Sequence, residues 1–303
     1  MIELIKKPNI DFMGKRMYTF GLSGILILLG IVAILQIWRG AANLGIDFAG
    51  GTAVQVKFEK SVPLQDVRIT LEASGIKEFD LQDLPAENKI LIRIKKSTTN
   101  LGELSGKIIS TLSQRFSENR PVIDSTTEIG PKVGKRLRND ALIAIGVATI
   151  GILIYIAFRF QFRFAVGATI ATFHDVLAVL GIFYVLGKEI NLILVSALLT
   201  IAGYSLTDTV VVFDRIRENM RKGFKDKIES IINRSINEVL SRTVIVSLTT
   251  LFTAIALFLF GGEVIHDFSL AIILGIVVGT YSSIFVASPV VLLWKGKKPL
   301  TKK

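Results

Sequence analysis

The sequence predicts an α-helical polytopic membrane protein. It has six transmembrane helices and an external α+β head of ferredoxin-like order between helices one and two. Three observations carry this prediction. The mean hydropathy is +0.55, too high for a soluble chain of average composition, so apolar residues must be gathered in membrane-length runs. Six such runs are legible, each near the roughly 20 residues that a helix needs to cross about 30 Å of hydrocarbon. The segment between the first two runs alternates strand-like and helix-like periodicity. Half of the 303 residues are apolar, a fifth are charged, and the net charge is +11; this composition excludes disorder. Without cysteine there is no disulfide framework or thiolate metal site, and two histidines leave little from which to build a metal centre. No metal and no cofactor is expected.

The first run, Tyr18 to Trp38, follows the N-terminal segment 1–17. It is long for a signal-peptide core and no small-x-small cleavage site follows, so it reads as an uncleaved anchor. The others are Ala141 to Phe158, Phe164 to Leu186, Ile190 to Phe213, Thr243 to Phe260 and Phe268 to Trp294. The second and fifth are short and are expected to extend into their flanks. Residues 141–294 thus form a five-helix bundle interrupted by a long loop at 214–242.

Basic residues orient the spans. Lys6, Lys7, Lys15 and Arg16 precede the first. Arg159 and Arg163 lie between the second and third. Arg215, Arg217, Arg221, Lys222, Lys225, Lys227 and Arg234 fill the fourth connection, and the tail 295–303 carries five lysines. The opposite side offers Lys188 alone in its short loops. Both termini are therefore expected in the cytosol and the head outside. The head, with 16 basic and 13 acidic residues over 39–140, is close to neutral. The lipid bilayer accounts for the basic excess, and no nucleic-acid partner is expected.

Within the head, Thr52 to Phe58 alternates Val54, Val56 and Phe58 with other residues, as a half-buried strand does. Leu64 to Ser74 has helical spacing and Gly75 is a natural stop. Phe79 to Leu84 and Lys89 to Lys95 read as strands. Leu101 to Phe116 is an amphipathic helix with Leu104, Ile108, Leu112 and Phe116 on one face. Val122 to Ile129 reads as a last strand. The order strand, helix, strand, strand, helix, strand is ferredoxin-like. One sheet face is left open, which suits an extended peptide or a partner without requiring either. No nucleophile–base pair stands out in the head.

Ionisable groups inside spans cost roughly 2.5–3.5 kcal/mol on insertion scales, so each is a candidate functional residue. Asp208 lies near the end of span four, about 9 Å along the axis from Asp214, with Tyr204, Ser205 and Val211 on its face. A snorkelling rim carboxylate is the plainer alternative. His174 and Asp175 sit mid-span three, pointing about 100° apart; a proton relay and a structural helix–helix hydrogen bond are both open. Arg242 opens span five at a depth where an ion pair with Asp208 is feasible, and equally reads as an ordinary rim arginine. Gly275 and Gly279, followed by Ser282 and Ser283, suit close helix packing.

At Gly45-Ile-Asp-Phe-Ala-Gly-Gly51 the chain resembles the SecF subunits of the bacterial Sec protein-export machinery. The resemblance continues through Glu128-Ile-Gly-Pro-Lys-Val-Gly134, Phe173-His-Asp175, the long run from Gly203 to Asn219, Ser241-Arg-Thr243 and Phe260-Gly-Gly262. It spans nearly the whole chain. It implies a pseudo-symmetric pairing with SecD in the resistance-nodulation-division superfamily, in the bacterial inner membrane. It also implies that the proton-motive force helps draw a preprotein through the SecYEG channel served by SecA. By the same resemblance Asp208 and Arg242 carry proton coupling, with Na⁺ as the other possible ion. Gly45, Asp47, Gly50 and Gly51 form the linker to the head. The expected mechanism is that protonation of Asp208 loosens its attraction to Arg242, repacks spans four to six and moves the head.

Three alternatives compete. A small-molecule efflux half of the same superfamily calls for larger paired heads. An intramembrane aspartyl protease calls for Asp175 and Asp208 to share a water, and lacks a glycine-rich turn before Asp208. A non-transducing scaffold for SecD would make Asp208→Asn silent.

Overall fold

A computed structural model describes residues 8–76, 79–84, 88–95, 101–222 and 226–293. The expected charges at Lys6, Lys7 and Lys225, the basic tail 295–303 and the end of span six at Trp294 lie outside the described residues. The chain divides into two compact units, Leu44–Ile143 and the remainder. Each is described by itself.

The head unit opens with a short helix α2 (Ile46–Ala49) and continues as β1 (Gly51–Lys57), α3 (Leu64–Ala73), β2 (Phe79–Leu84), β3 (Lys89–Lys95), α4 (Leu101–Arg115) and β4 (Val122–Ile129). The sheet order is β2-β3-β1-β4 and every pairing is antiparallel. The expected ferredoxin-like order is thus present. Alternation decides the faces: Val54 and Val56 oppose Ile92 and Ile90 and are buried beneath Val67 and Leu71 of α3 and Ile108 and Leu112 of α4. The other face carries Gln55, Ser125 and Lys89. There the Ser125 hydroxyl donates to Gln55 Oε1 (3.1 Å), and Lys89 pairs with Asp124 at 3.1 Å. A register shift between Gln55 and Val56 leaves Asp124 as the extra residue of β4, a bulge on an exposed edge strand.

Among the described residues six helices are long and apolar enough to cross a membrane, all in the second unit except the start of α5, which belongs to the head unit. They are α1 (Arg16–Arg39), α5 (Pro131–Arg159), α6 (Phe162–Val185), α7 (Leu192–Arg221), α8 (Ile228–Phe260) and the run beginning with α9 (Glu263–Ser282). Consecutive helices alternate in direction. The rim where α1 begins is called near, and the opposite one far. Glycines bring backbones together: a Cβ on Gly181 of α6 would lie 2.6 Å from the Gly30 nitrogen of α1. At the near rim Phe160, Phe164 and Phe213 interlock, with Phe164 and Phe213 centroids 5.1 Å apart.

Three features add to or differ from the sequence reading. First, span two extends into its flank as expected: α5 starts at Pro131, ten residues before the apolar run, because proline is well suited to a first helical position. Secondly, the expected 214–242 loop is almost entirely helical: α7 runs on to Arg221 and α8 begins at Ile228. Its helical period buries Ile231, Ile232, Ser235, Ile236 and Leu240. At 33 residues, α8 is about 50 Å long and outreaches the hydrocarbon thickness. Thirdly, span six is not continuous α-helix. A π turn at Ser283–Ala287 separates α9 from α10 (Ser288–Leu293). Pro289 has no N–H for the carbonyl four residues back, and its ring crowds that carbonyl. The widened turn relieves this, and the Ser288 hydroxyl donates to the Ser283 carbonyl (3.0 Å).

The segment before α1 is fastened to α8. Asn233 Oδ1 accepts from the Phe12 and Met13 amides, each at 3.0 Å, and Asn237 Oδ1 accepts from Ile10 N at 3.0 Å. Past the other end of α1, Asn43 Nδ2 donates to the Gly187 carbonyl (3.1 Å) and the Asn43 carbonyl accepts from Ile190 N (2.8 Å). The ends of α7 and α8 are joined by Arg215–Glu238 (2.6 Å) and by Asn219, which donates to Glu238 (2.6 Å) and Ser235 (3.0 Å).

Candidate functional site

Asp175 is the most enclosed carboxylate among the described residues, with no exposed surface. A charge there is tolerable only with several hydrogen bonds, and three elements supply them. Its chain neighbour His174 places Nδ1 2.8 Å from Oδ1. Ser205 of α7 donates to Oδ2. Ser282 at the end of α9 donates to the same oxygen at 2.7 Å. The close approach of α9 to α7 depends on small residues. A Cβ on Gly279 would lie 3.2 Å from Ser205 Cβ, and one on Gly275 would run into Ile201.

Asp208, one turn along α7 from Ser205, is half-buried. Its Oδ2 accepts from the hydroxyl of Ser283, the first residue of the π turn, at 2.7 Å. Arg242 is exposed. No ion pair of 4 Å or less joins it to Asp208. The partner of Asp208 is thus a serine hydroxyl. His174 and Asp175 do face one another, because neighbouring side chains meet when the imidazole nitrogen nearer the backbone folds toward the carboxylate. His174 Nε2 is buried without a hydrogen-bond partner.

The cluster continues into α1. Tyr281, next to Ser282, donates its hydroxyl to the Thr19 carbonyl (2.7 Å) and lies 3.1 Å from Ser23 Oγ. Its ring centroid is 6.2 Å from that of His174. Helices α1, α6, α7 and α9 therefore meet at one polar cluster. Charge-assisted hydrogen bonds of this kind contribute roughly 1.5–3 kcal/mol each. Protonation of either carboxylate adds a donor and removes the charge that strengthens the bond from the serine opposite.

The sequence reading named Asp175, Asp208 and all three serines. It assigned Ser282 and Ser283 to packing and missed their role as donors. The available signals were two adjacent serines ahead of Pro289 and Ser205 three residues before Asp208.

The linker residues lie in the head unit. Gly45 caps α2, Asp47 is in its first turn, and Gly50 (φ +75°) and Gly51 (φ +143°) turn the chain into β1. A side chain on Gly51 would strike the Ile94 carbonyl. A Cβ on Gly134 would lie 3.1 Å from Gly50 N and 3.3 Å from the Asp47 carbonyl. The two glycine motifs that flank the head in sequence thus pack backbone to backbone.

The chain matches the family model for the C-terminal region of the protein-export membrane proteins SecD/SecF over residues 109–297, and the SecD/SecF GG motif over residues 42–62. It is 61% identical over 305 residues to a protein translocase subunit SecF from Thermodesulfovibrio yellowstonii, covering all of both chains. It is 44% identical to one from Calditerrivibrio nitroreducens over 97% of each. The crystal structure of SecDF, a translocon-associated membrane protein from Thermus thermophilus, superposes with a TM-score of 0.81 at 38% identity. That match covers 95% of this chain, which spans only 39% of the solved one.

Proposed function

This chain belongs to the SecD/SecF family of protein-export membrane proteins, and from that premise we propose that it is the SecF half of a proton-driven export pair. It works with a separate SecD, at the SecYEG channel and the SecA motor, to draw a preprotein across the bacterial inner membrane. Its termini face the cytosol and its head the far side. It acts as a transport subunit and not as an enzyme.

The observation that carries this reading is the pair of carboxylates inside the bundle, each accepting from a serine of the interrupted sixth span. Transport needs a titratable group whose state alters helix packing, and Asp208 is a candidate of that kind. Protonation of Asp208 frees the Ser283 hydroxyl, and deprotonation recaptures it. Arg242 tunes the carboxylate from a distance in this scheme. Asp175, held from α6, α7 and α9, serves as the fixed end of the device, with His174 beside it. A unit charge crossing 100 mV supplies about 2.3 kcal/mol, comparable to one such hydrogen bond.

The protein-export family and the SecF relatives favour this over the efflux alternative. Against the protease alternative, Asp175 accepts from Ser205 and Ser282, Asp208 accepts from Ser283, and no hydrogen bond joins the two carboxylates. The test is export from inverted vesicles containing SecD, with H⁺ and Na⁺ gradients imposed separately, for wild type and Asp208→Asn. Loss of the H⁺-driven increment in the variant is expected. An unchanged increment would discard the mechanism.

A further inference from the structure

We propose that the corner between α5, α6 and α7 is a binding site for one anionic phospholipid. Two independent features meet there. At the near rim Arg159, Asp214, Arg217, Glu218, Arg221 and Lys222 line an open cleft. Both carboxylates are already matched: Asp214 by Arg159 (2.7 Å), and Glu218 by Arg215 (2.6 Å) and Lys222 (2.7 Å). Arg217 and Arg221 have no ion-pair partner among the described residues, and Arg217 Nε is buried with no acceptor. A partly buried guanidinium without an acceptor is an unmet demand for an anion, and its fork suits a phosphate.

Deeper along the same helices lies a shallow apolar cleft, lined by Ile145, Ala148 and Ile152 of α5, Phe173 and Val176 of α6, and Leu199 of α7. Both α5 and α7 run toward the near rim. Seven residues separate Ile152 from Arg159 and fifteen separate Ala202 from Arg217, about 10 and 22 Å of helix. Half a hydrocarbon core is about 15 Å. An acyl chain seated in the apolar cleft therefore has its phosphate between the depths of Arg159 and Arg217, with Arg221 one turn beyond. The charge at the rim selects the occupant: four cations against two carboxylates favour a headgroup with a net negative charge.

The purified full chain, partly delipidated in detergent, is incubated with dioleoyl-phosphatidylglycerol or dioleoyl-phosphatidylcholine, and retained lipid is counted by native mass spectrometry. One phosphatidylglycerol per chain is expected to survive washing that strips phosphatidylcholine. Arg217→Gln with Arg221→Gln is expected to weaken the preference about fivefold per arginine removed. Ala148→Trp, which places its own side chain in the cleft, is expected to expel the bound lipid. Soluble glycerol phosphate is expected not to compete. Equal retention of the two lipids, or a preference unaltered in the arginine variant, would overturn the proposal. So would displacement by glycerol phosphate, which marks a plain phosphate pocket. Displacement by stoichiometric SecD would do the same, since it marks a helix-docking face.

Discussion

Ser282 and Ser283 are neighbours in the chain, yet their hydroxyls serve carboxylates on two different helices. Ser282 donates to Asp175 on α6 and Ser283 to Asp208 on α7, both at 2.7 Å. In a regular α-helix adjacent side chains diverge by about 100°. The π turn that starts at Ser283 belongs to the arrangement that points one serine to each side.

The two carboxylates are expected to differ in what they hold up. Asp175→Ala orphans the buried Ser205 hydroxyl and the His174 nitrogen, at about 1–3 kcal/mol each, and leaves Ser282 only the Gly279 carbonyl of its own helix. It should lower unfolding stability in detergent markedly. Asp208→Asn keeps a group able to accept from Ser283 and should leave the melting temperature within a few degrees of wild type while removing proton-driven export. Equal destabilisation by both would contradict this division.

Gly181→Leu should drive α1 from α6, because the Gly30 backbone occupies the space where the side chain would go. Overpacking at a backbone contact costs at least 1–3 kcal/mol. Increased proteolysis of the segment before α1 is the readout. Gly151→Leu, at a position with open space around it, serves as the control and should be silent.

In the head, Gly51→Ala and Gly75→Ala separate two penalties. Both positions have positive φ, but only at Gly51 does an added Cβ meet a carbonyl. Gly75→Ala should cost about 1 kcal/mol from backbone strain alone. Gly51→Ala should cost more, read as faster amide exchange in β1 and β3.

The segment before α1 carries a pH-sensitive fastening. The Gly14 amide, then Asn233, hold the Asp11 carboxyl below its ordinary value of 3.8. A carboxyl depressed in the folded state stabilises above its unfolded pKa and loses that contribution as pH falls through the folded one. Protection of the Gly14 amide, taken relative to its intrinsic exchange rate, should therefore hold from pH 7 to about 4 and fall below that. In Asp11→Asn this pH dependence of protection should vanish.

The span positions and the head topology were legible because both rest on periodicity. Val54 and Val56 alternate, Leu104, Ile108 and Leu112 recur by helical turns, and the apolar runs match bilayer thickness. The carboxylates were legible because charge inside an apolar run is conspicuous. Their partners were not, since which serine meets which aspartate depends on helix crossing at Gly279 and on a π turn that a single proline hints at. The helical 214–242 connection was masked by its charges: Arg215, Glu218, Arg234 and Glu238 look like loop residues until they are seen to pair across two helix ends.

Helix α1 buries little of its own surface, yet it is pinned at both ends. Asn233 and Asn237 hold the segment leading into it to α8, and Asn43 holds the segment leaving it to the turn between α6 and α7. Mechanically this is a beam of about 36 Å clamped at each end to a different part of the frame. Such a beam cannot swing freely. A tilt imposed on the base of α8 bends it or is passed to the α6–α7 turn on the opposite rim. The lightly buried first helix is in this sense a tie-rod, and cutting either clamp would let the two rims move out of step.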